Sequence, residues 1–264
     1  MPINDWLAAL LLGIIEGITE FLPISSTGHL LVAEHWLGAR SDLFNIGIQS
    51  GAIVAVALIY RQRLVQLVRD FVSGESRDYV WKLGVAFAIT VALGLVVAAT
   101  DFQLPETVGP VAWALVIGGF WMLGAEHLAA RKADNAEVSW RVAILVGLAQ
   151  IVAAIFPGTS RSGATIFVAM LAGTSNRAAA TEFAFLLGIP TLLAATGYQL
   201  LKSLHAGTAA HEDWTLLGIA FVASTITAFI AVKWLLGYIV GHRFTAFAFY
   251  RIVLGIALLL WLPH

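Results

Sequence analysis

The chain has no cysteine among its 264 residues, which excludes disulfides, thiol catalysis and thiolate metal sites. It is also poor in charge. Asp, Glu, Lys and Arg make up 12% of residues, against roughly a quarter in soluble domains. The formal net charge of −1 is uninformative by itself, and nothing in the composition suggests a nucleic-acid partner. The opening Met1-Pro2-Ile3-Asn4-Asp5-Trp6 has no basic stretch, and the apolar run behind it contains glutamates. A cleavable signal peptide is therefore not expected, and the first segment should stay in the mature protein. Ten-residue segments of alternating polarity, the signature of a membrane barrel, are absent too.

What remains is apolar. Hydrophobic residues are 59% of the chain and the mean hydropathy is +0.87. Long apolar runs of this kind predict an integral, all-α membrane protein, since helices satisfy their own backbone in lipid. One run is interrupted: Gly13-Ile14-Ile15-Glu16-Gly17-Ile18-Thr19-Glu20-Phe21-Leu22-Pro23-Ile24-Ser25-Ser26-Thr27-Gly28-His29. It carries two carboxylates, four hydroxyls and an imidazole where ionisable groups are expensive and mark function. About half the chain later the design returns as Gly147-Leu148-Ala149-Gln150 followed by Pro157-Gly158-Thr159-Ser160-Arg161-Ser162-Gly163-Ala164-Thr165. Aligned, Gly13 falls on Gly147, Glu16 on Gln150, Pro23 on Pro157 and Ser26 on Ser160.

Pro23 ends the first helix, since it lacks an N–H and clashes with the preceding turn. Ser25, Ser26 and Thr27 are candidate caps of a second helix to about Leu37. About eleven residues rise roughly 16 Å, too little to cross a hydrocarbon core of about 30 Å. The economical fold is a re-entrant hairpin that turns at mid-membrane. Spans follow at about 43–61, 79–99 and 108–130; a second hairpin at about 138–172 breaks at Pro157-Gly158; spans at about 176–202, 214–238 and 244–262 close the chain. Each half is one re-entrant hairpin plus three transmembrane helices. Three crossings are odd, so the repeats, 1–130 and 131–264 of a single membrane domain, are expected to have inverted topology. Two broken turns then meet near the midplane to form a site.

Alternating the spans puts Arg61, Arg63, Arg69, Arg77, Lys82, Arg131, Lys132, Arg141, Arg177 and Arg243 on one side, with Arg40 and Lys202 on the other. The positive-inside bias makes the first side cytoplasmic. Both termini and the mouth of the first hairpin then face outward, periplasmic in a bacterium. The arginine-bearing loop 62–78 is a candidate helical extension near anionic headgroups, although its arginines would also serve topology alone.

Glu16 and Glu20, at i and i+4, share one helical face. Two carboxylates in a low dielectric repel, so one takes a proton or a cation joins them. Hard oxygens suit Mg²⁺ or Ca²⁺ rather than zinc. A helix N-terminus at Ser25, Ser26 and Thr27 is an anion site, and His29, one turn past Ser26, is a candidate general acid or base. In the second turn Gly158 permits close backbone approach, while Thr159, Ser160, Ser162 and Thr165 offer hydroxyls. Arg161 offers a planar fork that matches phosphate oxygens. A buried arginine needs an anion, either Glu16 and Glu20 or a ligand. Weaker candidates are Gln49, Ser50 and Gly51 as cavity lining, and Glu182 as a support or a partner of Arg177. Arg251, near the start of the last span, is expected to snorkel.

The two motifs, Glu16 to His29 and Pro157 to Thr165, resemble the signatures of the BacA-type undecaprenyl pyrophosphate phosphatases, and the resemblance extends over the whole chain. It implies a bacterial membrane enzyme that removes the terminal phosphate of undecaprenyl pyrophosphate for reuse of the lipid in cell-wall synthesis. It also implies dependence on Mg²⁺ or Ca²⁺ and a link to bacitracin resistance. The family's acidic pair falls on Glu16 and Glu20, its serine on Ser26, its histidine on His29 and its arginine on Arg161. On this reading Ser26 Oγ, activated by His29, is the nucleophile; a metal-activated water is the alternative. A flippase of undecaprenyl phosphate, alone or alongside hydrolysis, is the reading from another class. The sequence leaves the oligomeric state open, a homodimer included.

Overall fold

The computed structural model describes residues 4–74, 76–100 and 107–261. Met1 to Ile3 of the opening segment, Glu75 of the 62–78 loop and the last residue of the 244–262 span lie outside the described residues.

Local chemistry sets each break. α1 (Asp5–Thr19) starts where Asn4 caps the Trp6 N–H at 3.0 Å. α2 (Ser26–Leu37), 12 residues long, is capped by Ser25 and stops at Gly38. At about 18 Å it is too short to span. α3 (Asp42–Ile59), α5 (Arg77–Ala99) and α6 (Val108–Ala129) are each long and apolar enough to cross a membrane. So are α9 (Arg177–His205) and α10 (Trp214–Gly241). The second hairpin is α7 (Trp140–Ile155) and α8 (Arg161–Ala172), and α11 (Thr245–Trp261) is a shorter apolar helix of 17 residues. The expected extension after α3 is α4 (Arg61–Ser73), which Gly74 ends in the left-handed region at φ 97°. Val65, Val68 and Val72 stand exposed along one side of α4, an apolar stripe suited to an interface.

The two halves pack reciprocally. α1 lies on α10 and its counterpart α7 on α5; α3 packs on α10 and α9 on α5; α6 pairs with α11. Without lipid-driven attraction between helices, close approach over small residues holds such pairs. A Cβ on Gly13 would sit 2.2 Å from the Ala220 carbonyl oxygen, and one on Gly147 2.8 Å from that of Ala86. The same contact is thus made once in each half. Gly17, one turn on, would meet Thr227 Oγ1 at 2.1 Å. Gly13→Ala must push two backbones apart, an overpacking cost of about 1–3 kcal/mol. It is expected to lower the melting temperature in detergent, while Gly84→Ala, whose Cβ would meet nothing within 4 Å, leaves it unchanged.

Candidate active site

Both hairpin turns present a serine in a conformation that serine rarely adopts. Ser25 has φ 73° and Ser160 φ 70°, the two non-glycine residues at positive φ among the described residues. Such backbone costs on the order of 1–3 kcal/mol each and clusters at functional sites. Each of these serines caps the helix behind it: Ser25 Oγ accepts from Gly28 N at 3.3 Å and Ser160 Oγ from Gly163 N at 3.2 Å. The structural equivalence is therefore Ser25 with Ser160, and Ser26 with Arg161. The simple alignment of Ser26 on Ser160 fails because the second turn holds one residue more. The nucleophile candidate and the arginine are thus the first helical residues of α2 and α8.

Between the turns lies a cleft of about 340 Å³, lined by Glu20, Ser26, Thr27, Ser160 and Arg161, with Gln49, Thr90, Gln150 and Thr191 from the surrounding helices. Ser25 and Gly158 also line it. Glu20 is its centre. Oε2 accepts from Ser26 Oγ at 2.5 Å and Oε1 accepts from Arg161 Nη2 at 2.7 Å. A carboxylate from the first hairpin is thereby joined to an arginine from the second. Arg161 Nη1 donates to Thr191 Oγ1 at 3.4 Å, and Thr191 and Thr90 both bond Gln150. Phe21 lies under the guanidinium, 5.8 Å from ring centroid to Cζ.

Other candidates fall elsewhere. His29 is not bonded to Ser26: Nδ1 meets the Ser25 carbonyl at 2.7 Å and Nε2 meets Tyr250 Oη at 2.7 Å, with the two rings stacked. The i+3 spacing puts the imidazole one turn along the helix, whereas Glu20 reaches Ser26 because the chain folds back at Pro23. Ser162 Oγ donates to the Leu22 carbonyl, tying turn to turn, and Thr165 Oγ1 bonds back to Arg161 O and Ser162 O. The Thr159 carbonyl is taken by Arg251. Ser50 bonds Thr196, and Gly51 lies against α10. Glu182 pairs with Arg63 at 2.9 Å rather than with Arg177, whose guanidinium forks onto Glu126. Arg251 does not snorkel; it is 1% exposed and bonded to backbone carbonyls. Sequence reading passed over Thr90, Thr191 and Tyr250, single polar side chains in apolar spans whose spacing carries no signal. Gln150 stood out only as the partner of Glu16 in the repeat.

Whether the residues suit a divalent cation turns on Glu16. It is 0% exposed, one turn from Glu20, and neither carboxylate oxygen has a hydrogen-bond partner among the described residues. Among the described residues no group of three or more His, Asp or Glu gathers. A cation that takes one or two carboxylates and fills its shell with water and phosphate oxygens suits such a donor set, and Mg²⁺ has that habit. The residues fit.

Known proteins resemble this chain over nearly its whole length. A protein of Stenotrophomonas maltophilia (strain R551-3) named undecaprenyl-diphosphatase is 65% identical over 260 residues, covering 98% of each chain. Proteins of the same name from Rhizobium etli (strain CIAT 652) and Rhizobium leguminosarum bv. trifolii (strain WSM2304) are 68% and 69% identical, covering 97% of this chain and 96% of theirs. The family model described as "Bacitracin resistance protein BacA" matches residues 9–257, a stretch that holds both turns, Glu16, Glu20 and Arg161, and the chain belongs to the BacA family.

Proposed function

We propose that the chain is an undecaprenyl-diphosphatase: it hydrolyses undecaprenyl diphosphate to undecaprenyl phosphate and inorganic phosphate, recycles the lipid carrier for cell-wall synthesis, and thereby confers bacitracin resistance. The observation that carries this reading is the single carboxylate of Glu20 shared between the Ser26 hydroxyl and the Arg161 guanidinium in one cleft. Carriage of a phosphate needs cations; it does not need a hydroxyl hydrogen-bonded to a base.

Ser26 Oγ gives its proton to Glu20 as it attacks the terminal phosphorus. The new Oγ–P bond forms, the bond from phosphorus to the bridging oxygen breaks, and undecaprenyl phosphate leaves with that electron pair. Water then attacks the phosphoserine. The Oγ–P bond breaks, Ser26 regains its proton from Glu20, and both protons of the water stay on the departing phosphate. Arg161 and the free N–H groups at the starts of α2 and α8 hold the charge spread over the transferring phosphoryl oxygens. With Ser26 bonded to Glu20, the general base is Glu20, and His29 with Tyr250 supports the Ser25 end of the turn. Glu16, with Glu20, would hold Mg²⁺ or Ca²⁺, which would neutralise charge on phosphate oxygens.

The prenyl tail lies among the helices, and the cleft opens to the periplasmic side of the bacterial inner membrane, as do both termini. The arginine bias of the opposite loops supports that placement. Purified protein in detergent, given a prenyl diphosphate, should release phosphate. Chelation should cut the rate by more than about 100-fold, with Mg²⁺ or Ca²⁺ restoring it. A protein that only flips lipid would release none.

A further inference from the structure

Arg251 is the largest of the fully buried side chains, yet no carboxylate among the described residues meets it. Nη1 donates to the Thr159 carbonyl at 2.9 Å and to that of Pro23 at 3.4 Å; Nη2 donates to the Gly158 carbonyl at 2.9 Å and to that of Ala114 at 3.2 Å. These acceptors belong to both broken turns and to α6. A buried guanidinium is tolerated where hydrogen bonds satisfy its donors; here backbone carbonyls take both terminal nitrogens, and Nε has no partner among the described residues. The packing makes room for it: a Cβ on Gly118 would lie 2.2 Å from Arg251 Nη2, and one on Gly163 3.4 Å from Nη1.

The acceptors explain what the position does. Glu20 lies three residues before Pro23 and Ser26 three after it, and Arg161 follows Thr159 by two residues. The catalytic groups sit on separate hairpins, so their spacing depends on whatever fixes one turn against the other. Ser162 Oγ on the Leu22 carbonyl is one tie; Arg251 is a second, with a planar fork that reads carbonyls of both turns at once. Across a planar trans peptide the C=O and N–H point oppositely. Holding the Thr159 carbonyl on Arg251 therefore turns the Ser160 N–H away from Arg251, and Ser160 lines the cleft.

We propose that Arg251 is a positioning residue that clamps the two hairpin turns together through their backbone carbonyls, setting the distance between the Ser26–Glu20 pair and Arg161. The proposal rests on the phosphatase reading for its kinetic arm. Displacement of catalytic groups by about 1 Å costs about 100-fold in rate, so Arg251→Met should lower kcat by about that factor with KM changed less than about threefold. Arg251→Lys, which keeps the charge but loses the fork, should fall between. Gly118→Ala, which leaves the arginine in place but drives its guanidinium off the carbonyls, should cost about tenfold. A second readout needs no activity. The chain has no cysteine, so spin labels at Ile18→Cys and Phe156→Cys, both exposed and beside the turns, report the spacing of the hairpins by electron paramagnetic resonance. The distance distribution should be narrow with Arg251 and broad in Arg251→Met or Gly118→Ala. Wild-type kcat in folded Arg251→Met, or an unchanged distance distribution, overturns the clamp. If Arg251→Met does not fold, wild-type behaviour of both Arg251→Lys and Gly118→Ala overturns it. A wild-type protein that releases no phosphate would sink the phosphatase reading while leaving the spin-label arm intact.

Discussion

Glu20→Gln releases phosphate from a prenyl diphosphate about 10³-fold more slowly than the wild type, within the range of a lost general base. The glutamine keeps the volume and one acceptor oxygen for Arg161, while its amide nitrogen donates where a carboxylate oxygen accepted from Ser26. It cannot take the proton of Ser26 Oγ, now 2.5 Å from Oε2, and it withdraws the charge that holds Arg161 at 2.7 Å. The loss belongs to kcat, since the arginine remains free to meet phosphate. Rapid quench with a prenyl diphosphate labelled in the terminal phosphate should trap a phosphoenzyme in the wild type and none in Glu20→Gln or Ser26→Ala. His29→Gln is the informative contrast: the imidazole is held by Ser25 O and Tyr250 Oη, so it should cost less than Glu20→Gln. A smaller loss in Glu20→Gln than in His29→Gln would return the base to the histidine.

Removing Arg161 has two consequences that can be separated. In activity, loss of an arginine that stabilises a transferring phosphoryl group costs about 10³–10⁵-fold, and Arg161→Lys recovers little because a point charge lacks the fork. In stability, Arg161→Ala strands the buried Glu20 carboxylate, and breaking one side of a buried pair costs about 3–5 kcal/mol. The double variant Glu20→Gln with Arg161→Ala removes both charges. Its melting temperature in detergent should rise above that of Arg161→Ala alone, while its activity stays at the floor. A double variant no more stable than Arg161→Ala would mean that the pair is not the one that anchors the hairpins.

The sequence by itself determined the helices, the two breaks and the charges at them. Those are local matters: hydropathy decides which run enters lipid, Pro23 and Pro157-Gly158 decide where a helix stops, and a serine before a run of N–H groups decides where the next begins. For Arg161 the sequence demanded an anion, either Glu16 and Glu20 or a ligand, and the fold sets it on Glu20. Tertiary structure alone decided which group touches Ser26. Helical spacing favours His29, but the fold-back at Pro23 and the positive φ of Ser25 bring Glu20 there. It also decided that Arg251, one residue past Tyr250 in an apolar helix, looks inward to Pro23, Ala114, Gly158 and Thr159. Those acceptors are backbone carbonyls, which every residue carries, contributed by segments far apart in the chain. No residue type marks them, so only the packing of the helices could name them.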